Sequence, residues 1–116
     1  MSAPPKKPRY HPRPGSCSPW YDQNSGSKTH EVGQKAPNAW GLYDMLGNVY
    51  QWTGDWYANK YQGGNETDPK GPASGQYRTL RGGSWYVVAQ RTRASNRLGY
   101  RPDSRYGLSG FRCVGE

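Results

Sequence analysis

Arg81-Gly82-Gly83-Ser84-Trp85, with the arginine-studded stretch that runs from it to Gly110-Phe111-Arg112-Cys113, carries most of what this chain discloses. Gly-Gly, Trp85, the arginines, Pro102 and Gly-Phe-Arg read as a rigid frame. Three short inserts of unrelated chemistry interrupt it: Tyr86-Val87-Val88, Leu98-Gly99-Tyr100 and Tyr106-Gly107-Leu108. Such a pattern suits a scaffold that presents a changeable surface better than it suits a catalytic site.

Working outward, the 116 residues fit one domain with an economical core. Aliphatic, aromatic and Cys residues make up 32%, with one Phe and two Met against five Trp and ten Tyr. The core is therefore predicted to be aromatic, its Trp N–H and Tyr O–H groups finding partners inside or at the rim. Sixteen Gly and ten Pro exclude a helical bundle and predict a chain rich in turns and irregular loops. No apolar run has the length of a membrane span or a signal-peptide core, so export is expected to depend on a larger assembly or a segment outside this sequence.

The net charge of +8 is unevenly placed. Lys6, Lys7, Arg9 and Arg13 lie in a Pro-rich tail, and eight Arg but no Lys follow from Arg78 onward. A basic surface can meet nucleic acid or another polyanion. Arg spaced among Ser, Thr, Asn and Gly is better read as bonding carbonyls and carboxylates to hold loops together. The chain has no helix-turn-helix pattern, zinc-finger spacing or RNA-recognition aromatic motif, which argues against nucleic acid.

Cys17 and Cys113 lie near opposite ends. They are too few for a zinc site and form no CxxC, which leaves two buried thiols or one bridge closing almost the whole domain. A bridge would contribute on the order of 4 kcal/mol. The two sulfurs are expected to lie close together, because the last strand is read as central to the fold.

Residues 1–16, with five prolines, read as a tail, and residues 17–116 as the domain. Polar residues and turn formers from Ser18 to Pro37 predict a long loop. Asn38 to Leu46 is predicted as a short helix stopped by Gly47-Asn48. Val49 to Thr53, Tyr77 to Arg81 and Gly110 to Val114 read as strands, and Gly63 to Gln76 as another loop.

Pro37-Asn38-Ala39-Trp40-Gly41-Leu42-Tyr43-Asp44-Met45-Leu46-Gly47-Asn48-Val49-Tyr50-Gln51-Trp52, then Asp55-Trp56-Tyr57, Leu80-Arg81-Gly82-Gly83-Ser84-Trp85, Arg93-Ala94, Arg97, Pro102, Arg105 and Gly110-Phe111-Arg112 together resemble the C-terminal half of the formylglycine-generating enzyme, or sulfatase-modifying factor, family. The resemblance runs from about Trp20 to Val114. It implies an α+β architecture: an irregular C-type lectin-like fold with a small twisted antiparallel sheet and much loop. Catalysts of that family hold copper with a cysteine pair just beyond Gly-Gly-Ser. Here the region reads Tyr86-Val87-Val88-Ala89-Gln90-Arg91, without the thiolates that Cu(I) wants. Related oxygenases use a His-rich iron site, whereas His11 and His30 fall in the tail and the early loop and read as solvated residues. Ser84 has no His or acid nearby in sequence to activate it, so a loop hydrogen bond is expected of it. No paired acids stand out. The reading is of a chain that is not an enzyme.

The chain also resembles the target proteins of diversity-generating retroelements, which share this fold. Their pattern is Gly-Gly-Ser-Trp, variable residues, an Arg-Ser-Ala-Asn-Arg-like frame, further variable residues and Gly-Phe-Arg. Thr92-Arg93-Ala94-Ser95-Asn96-Arg97 matches that frame with Ala and Ser inverted. The resemblance implies a variable, ligand-binding face of Tyr86, Val87, Val88, Arg91, Leu98, Gly99, Tyr100, Ser104, Tyr106, Gly107 and Leu108, each reachable from an AAY codon. Trp85, Arg93, Arg97, Arg105 and Phe111 are expected to support it as frame. Tyr on such a face buries much area at low entropic cost. The function implied is recognition of a protein or other macromolecule, without catalysis, displayed on a virion or cell surface rather than free in the cytoplasm, with an oligomer compatible. The alternative is a diverged member of the formylglycine-generating family, inactive or with another oxidoreductase activity.

The enzyme family binds calcium at a segment that maps onto Asp44, Gly47, Val49 and Gln51. Gln51 replaces the usual Glu, so calcium is expected to be held less strongly there, by neutral oxygen in place of charge.

Overall fold

A computed structural model describes residues 19–60 and 69–114. The tail, Cys17 and residues 61–68 of the loop lie outside the described residues, and with them the expected Cys17–Cys113 pairing; Cys113 itself is exposed. Four strands build the fold: β1 (Tyr50–Trp56), β2 (Arg78–Arg81), β3 (Arg97–Tyr100) and β4 (Ser109–Gly110). They form one sheet in the order β3-β2-β1-β4.

The sheet is mixed, not wholly antiparallel as expected. β1 pairs antiparallel with β2, and β2 with β3, but β4 runs parallel to β1. The final Gly-Phe-Arg thus enters along an edge instead of through the centre, and the strand expected over Gly110 to Val114 shrinks to two residues. β1 extends beyond the expected Thr53 to Trp56, with its register to β2 shifting between Trp52 and Trp56. A bulge of this sort lets Gly54 and Asp55 stay in the strand while increasing its twist.

Leu80 of β2 sits at the heart of the core, fully buried between Trp52 on β1 and Leu98 on β3, its register partners. Tyr50 and Leu108 complete the buried cluster, and Trp52, Trp85, Val87, Leu98 and Tyr100 pack around it. The core is less aromatic than composition suggests: Tyr50 is the one aromatic among its three buried residues, Trp52, Trp85 and Tyr100 pack around it half-buried, and among the described residues the buried Trp20 indole N–H has no partner.

No helix forms at Asn38 to Leu46. The Asn38 side-chain oxygen accepts the N–H groups of Trp40 and Leu42, offering the backbone a local alternative to helical bonds. Gly41 and Asp44 then adopt positive φ, of 79° and 53°, which no right-handed helix allows. Among the described residues the helical content is a single 3-10 turn, Ala89–Thr92.

The early loop is not a loose edge. Trp20 stacks on His30 with centroids 3.6 Å apart, and His30 exchanges backbone bonds with the Asn48 side chain in both directions. His30 Nε2 also lies 2.6 Å from the Ser25 carbonyl. His30 is thus a half-buried packing residue, not the solvated one expected. Gly47 is where this loop meets the body: its φ is 77°, and a Cβ there would stand 2.5 Å from the Trp20 carbonyl oxygen.

Candidate binding face

β2 ends in Gly82 and Gly83, both at positive φ, and their lack of side chains lets two other segments approach the turn. A Cβ on Gly82 would lie 2.9 Å from the Met45 carbonyl oxygen, and one on Gly83 2.9 Å from that of Arg91. The turn delivers Ser84 and Trp85 to a set of fixed partners. Trp85 donates its N–H to Asn48 and its carbonyl accepts from Ser25 Oγ; Val87 donates to the Ser84 carbonyl and accepts from the Asp22 N–H. Ser84, buried, accepts the Tyr86 N–H with its hydroxyl, which is the loop hydrogen bond expected of it.

The other two inserts are held the same way. Leu98, Gly99 and Tyr100 lie in β3, opposite Leu80, Thr79 and Arg78 of β2. Leu108 accepts the Tyr50 N–H at 2.6 Å, and Ser109 donates to the Tyr106 carbonyl. Main-chain bonds therefore help to place all three inserts, joined by side-chain bonds from frame residues Ser84 and Trp85.

The eleven residues expected on the face divide by exposure. Tyr86, Val88, Arg91, Tyr106 and Gly107 are exposed; Val87, Leu98, Gly99, Tyr100 and Ser104 are half-buried. Leu108 does not belong with them: at 9% exposure it is core. The insert turns back after Gly107 to pair with β1, and that turn drives its last side chain inward. Gly99 is constrained too, since a Cβ there would meet the Tyr57 ring at 2.5 Å.

A tyrosine group dominates what remains. Tyr100 and Tyr106 stack with centroids 5.2 Å apart. Tyr86 meets Trp85 edge-on, and the Trp85 indole N–H points to the Gly107 carbonyl at 3.4 Å. Desolvation, then interaction with Tyr100, raises the Tyr106 hydroxyl above the ordinary phenol value, with Tyr50 and Tyr86 near enough to add to the effect. Tyr50, buried in β1 beneath the face, is raised by burial as well; the charge of Arg91 and a hydrogen bond from Asn96 partly offset this. Sequence reading assigned neither Tyr50 nor Asn96 to the site. The signal available was the alternation in β1, which sends Tyr50 to the same side of the sheet as Trp52.

The arginines sort into two kinds. Arg78, Arg81, Arg93 and Arg97 bond the carbonyls of Gly54, Ala94, Gln90 and Asn59, and Arg112 bonds Gln51 and the Tyr43 carbonyl, as the loop-holding reading expects. Arg101 and Arg105 make no such bond among the described residues, so Arg105 does not serve the frame through hydrogen bonds. Arg105 adjoins Tyr106, and Arg91 approaches Tyr50. Phe111, expected to support the face, is 80% exposed and stands on another side, where it lines a cavity of about 350 Å³ with Tyr43, Asp44, Gly47, Val49, Gln51 and Arg112. Short β4 explains this, because its ladder ends at Gly110 and leaves Phe111 without a strand neighbour to pack against.

The four residues expected to bind calcium do line that one cavity. Their donor set differs from four oxygens. Gln51 gives its N–H to the Asp44 carbonyl at 2.8 Å, and its oxygen accepts from Arg112 Nε at 3.0 Å. Asp44 Oδ2 accepts the Gly33 N–H. No group of three or more His, Cys, Asp or Glu residues suited to a metal occurs among the described residues.

Comparison with known proteins accords with this geometry. The family described as the sulfatase-modifying factor enzyme 1-like domain matches residues 9–116. Among solved structures, Treponema denticola variable protein 1 superposes with a TM-score of 0.74 at 48% identity, over 79% of this chain and 34% of its own. A formylglycine-generating enzyme of Streptomyces coelicolor is 39% identical over 92 residues, 76% of this chain and 29% of the enzyme. The serine/threonine-protein kinase pkn1 of Chlamydia pneumoniae is 42% identical over 81 residues, 67% of this chain and 13% of the kinase. The chain thus spans about a third or less of the length of these relatives. It belongs to the sulfatase-modifying factor enzyme 1-like family and has the irregular, C-type lectin-like fold of that family, with a small curled sheet, little helix and much loop.

Proposed function

We propose that this chain is a non-catalytic recognition protein, whose diversified surface of Tyr86, Val88, Arg91, Tyr100, Ser104, Tyr106 and Gly107 binds a protein or other macromolecule. One observation carries the reading: the backbones of the three inserts are fixed by bonds to Asp22, Tyr50 and β2, while Tyr86, Val88, Arg91, Tyr106 and Gly107 are exposed and Tyr100 and Ser104 half-buried. A surface built this way changes its chemistry without changing its shape. Its present chemistry is that of a binding patch, with stacked and edge-on tyrosines and the exposed side chain of Arg91. The likeness to a variable protein supports the same reading. Display on a virion or cell surface is part of the proposal; no described helix is long and apolar enough to cross a membrane.

Sequencing the gene across a population of its source tests this. Substitutions should concentrate at these seven positions and stay within the residues an AAY codon can reach, with a near-copy of the region and a reverse transcriptase gene nearby. Substitutions spread evenly over frame and face would refute it. The second reading, a diverged formylglycine-generating enzyme, draws on the Streptomyces relative. Conversion of a Cys-containing sulfatase peptide by the purified chain with copper and oxygen would establish that reading instead; we expect none, because no cysteine follows Gly83-Ser84 before Cys113.

A further inference from the structure

We infer that Arg112 and Gln51 together do the work of a metal ion at the loop before β1, so that this chain closes the loop with a cation of its own and is indifferent to calcium. The segment Tyr43 to Gln51 needs such a clamp. Its end is tied down, with Gly47 donating to the Gly82 carbonyl and Asn48 accepting the Trp85 N–H, but its start, Tyr43 to Leu46, has no helix and a positive φ at Asp44. Its successive carbonyls, Tyr43 and Asp44, are taken by donors from elsewhere: the Arg112 guanidinium reaches the first, and the Gln51 amide the second. The two donors are joined, because Arg112 Nε also bonds Gln51 Oε1. A loop, a central strand and the segment after β4 thereby meet in one chain of hydrogen bonds.

The direction of the Gln51 amide follows from its neighbours. Reversing it would set oxygen against the Asp44 carbonyl and nitrogen against Arg112 Nε, two clashes of like groups in place of two bonds. An N–H thus occupies the position where a calcium ligand needs an oxygen, and a positive guanidinium stands beside it. Calcium requires six to eight oxygen ligands and gains from their negative charge. This site offers one carboxylate, Asp44, whose Oδ2 already accepts the Gly33 N–H, and a guanidinium where more negative charge would be needed. Arg suits the task, since its planar fork bonds two acceptors at once and keeps its charge at any working pH.

The inference separates this chain from relatives that carry Glu at the Gln51 position, and it yields a swap experiment on the full chain. Thermal melting is measured with millimolar calcium and with chelator, for the parent and four variants. The parent should melt at the same temperature in both; a rise with calcium or a fall with chelator overturns the inference. Arg112→Ala should lower the melting temperature by about 4 °C or more in both conditions, and Arg112→Lys by less, since one charge and one bond return. An unchanged melting temperature for Arg112→Ala would show that no clamp exists. Gln51→Glu alone should gain no calcium response, because Arg112 pairs with the new carboxylate; a response with Arg112 in place counts against the inference. Gln51→Glu combined with Arg112→Ala should melt higher with calcium than with chelator, since the internal cation is gone and a carboxylate is present. A double variant that calcium leaves unchanged would contradict the idea that the guanidinium stands in for the metal.

Discussion

Tyr100 and Tyr106 stack with their ring centroids 5.2 Å apart, although one ends β3 and the other lies in the loop that leads to β4. Their contact joins the second and third inserts into one surface. Tyr100 leans on the core through the same ring, whereas Tyr106 is exposed.

Tyrosine replacements should therefore separate binding from stability. Tyr86→Ser, 66% exposed, should shift the unfolding free energy by no more than about 0.5 kcal/mol. Tyr100→Ser should cost about 1–2 kcal/mol, because Tyr100 packs against the buried cluster of Tyr50, Leu80 and Leu108. The triple change with Tyr106→Ser should abolish capture of whatever ligand the parent selects. Urea unfolding beside a binding assay checks this, and a triple variant that still binds fully would remove these residues from the face.

Leu108 and Phe111 should behave in the reverse of what their sequence positions suggest. Leu108→Ala should cost about 2–5 kcal/mol, as a buried leucine does. Phe111→Ala should stay within about 0.5 kcal/mol, as an exposed side chain does. Denaturant midpoints of the two variants decide the matter.

Glycines give a finer test of which insert positions can vary. Gly107 has nothing within 4 Å of where a Cβ would stand, and Gly107→Ala should fold as well as the parent. Gly99→Ala must displace the Tyr57 ring and should destabilise by about 1–3 kcal/mol. Gly47→Ala combines a positive φ with a clash against backbone, and should be the worst of the three. Their order by melting temperature checks the assignment.

The raised hydroxyls of Tyr50 and Tyr106 fix the pH response. Both groups hold their protons more tightly folded than unfolded, so their contribution is complete below the ordinary phenol value of 10.0 and fades as pH climbs through the raised values. Stability should fall above pH 10, and ligand binding should show no step from Tyr50 or Tyr106 near neutrality. Phenolate absorbance of single Tyr50→Phe and Tyr106→Phe variants, followed alongside unfolding, tests this; Tyr50 or Tyr106 titrating at or below the ordinary value inside the folded protein would contradict it.

Residues such as Gly82-Gly83-Ser84-Trp85 were legible from the start, because a turn that admits two other backbones leaves a local mark: side chains disappear and φ turns positive. The same holds for β1 and β2, whose strand formers agree with their burial, and for the family frame, whose motifs sit in unchanged order. Asn38 to Leu46 was misread, since the helical spacing there competes with an Asn38 oxygen that captures two N–H groups, and the balance lies in hydrogen-bond geometry that spacing does not carry. The parallel β4, the inward turn of Leu108, the outward Phe111 and the bond between Gln51 and Arg112 all depend on contacts between residues tens of positions apart. Sequence by itself determined the Gly-Gly-Ser-Trp turn, the strands β1 and β2 and the family. Tertiary structure alone decided which insert residues face outward, because burial is set by where the chain returns to the sheet and not by the residue that happens to stand there.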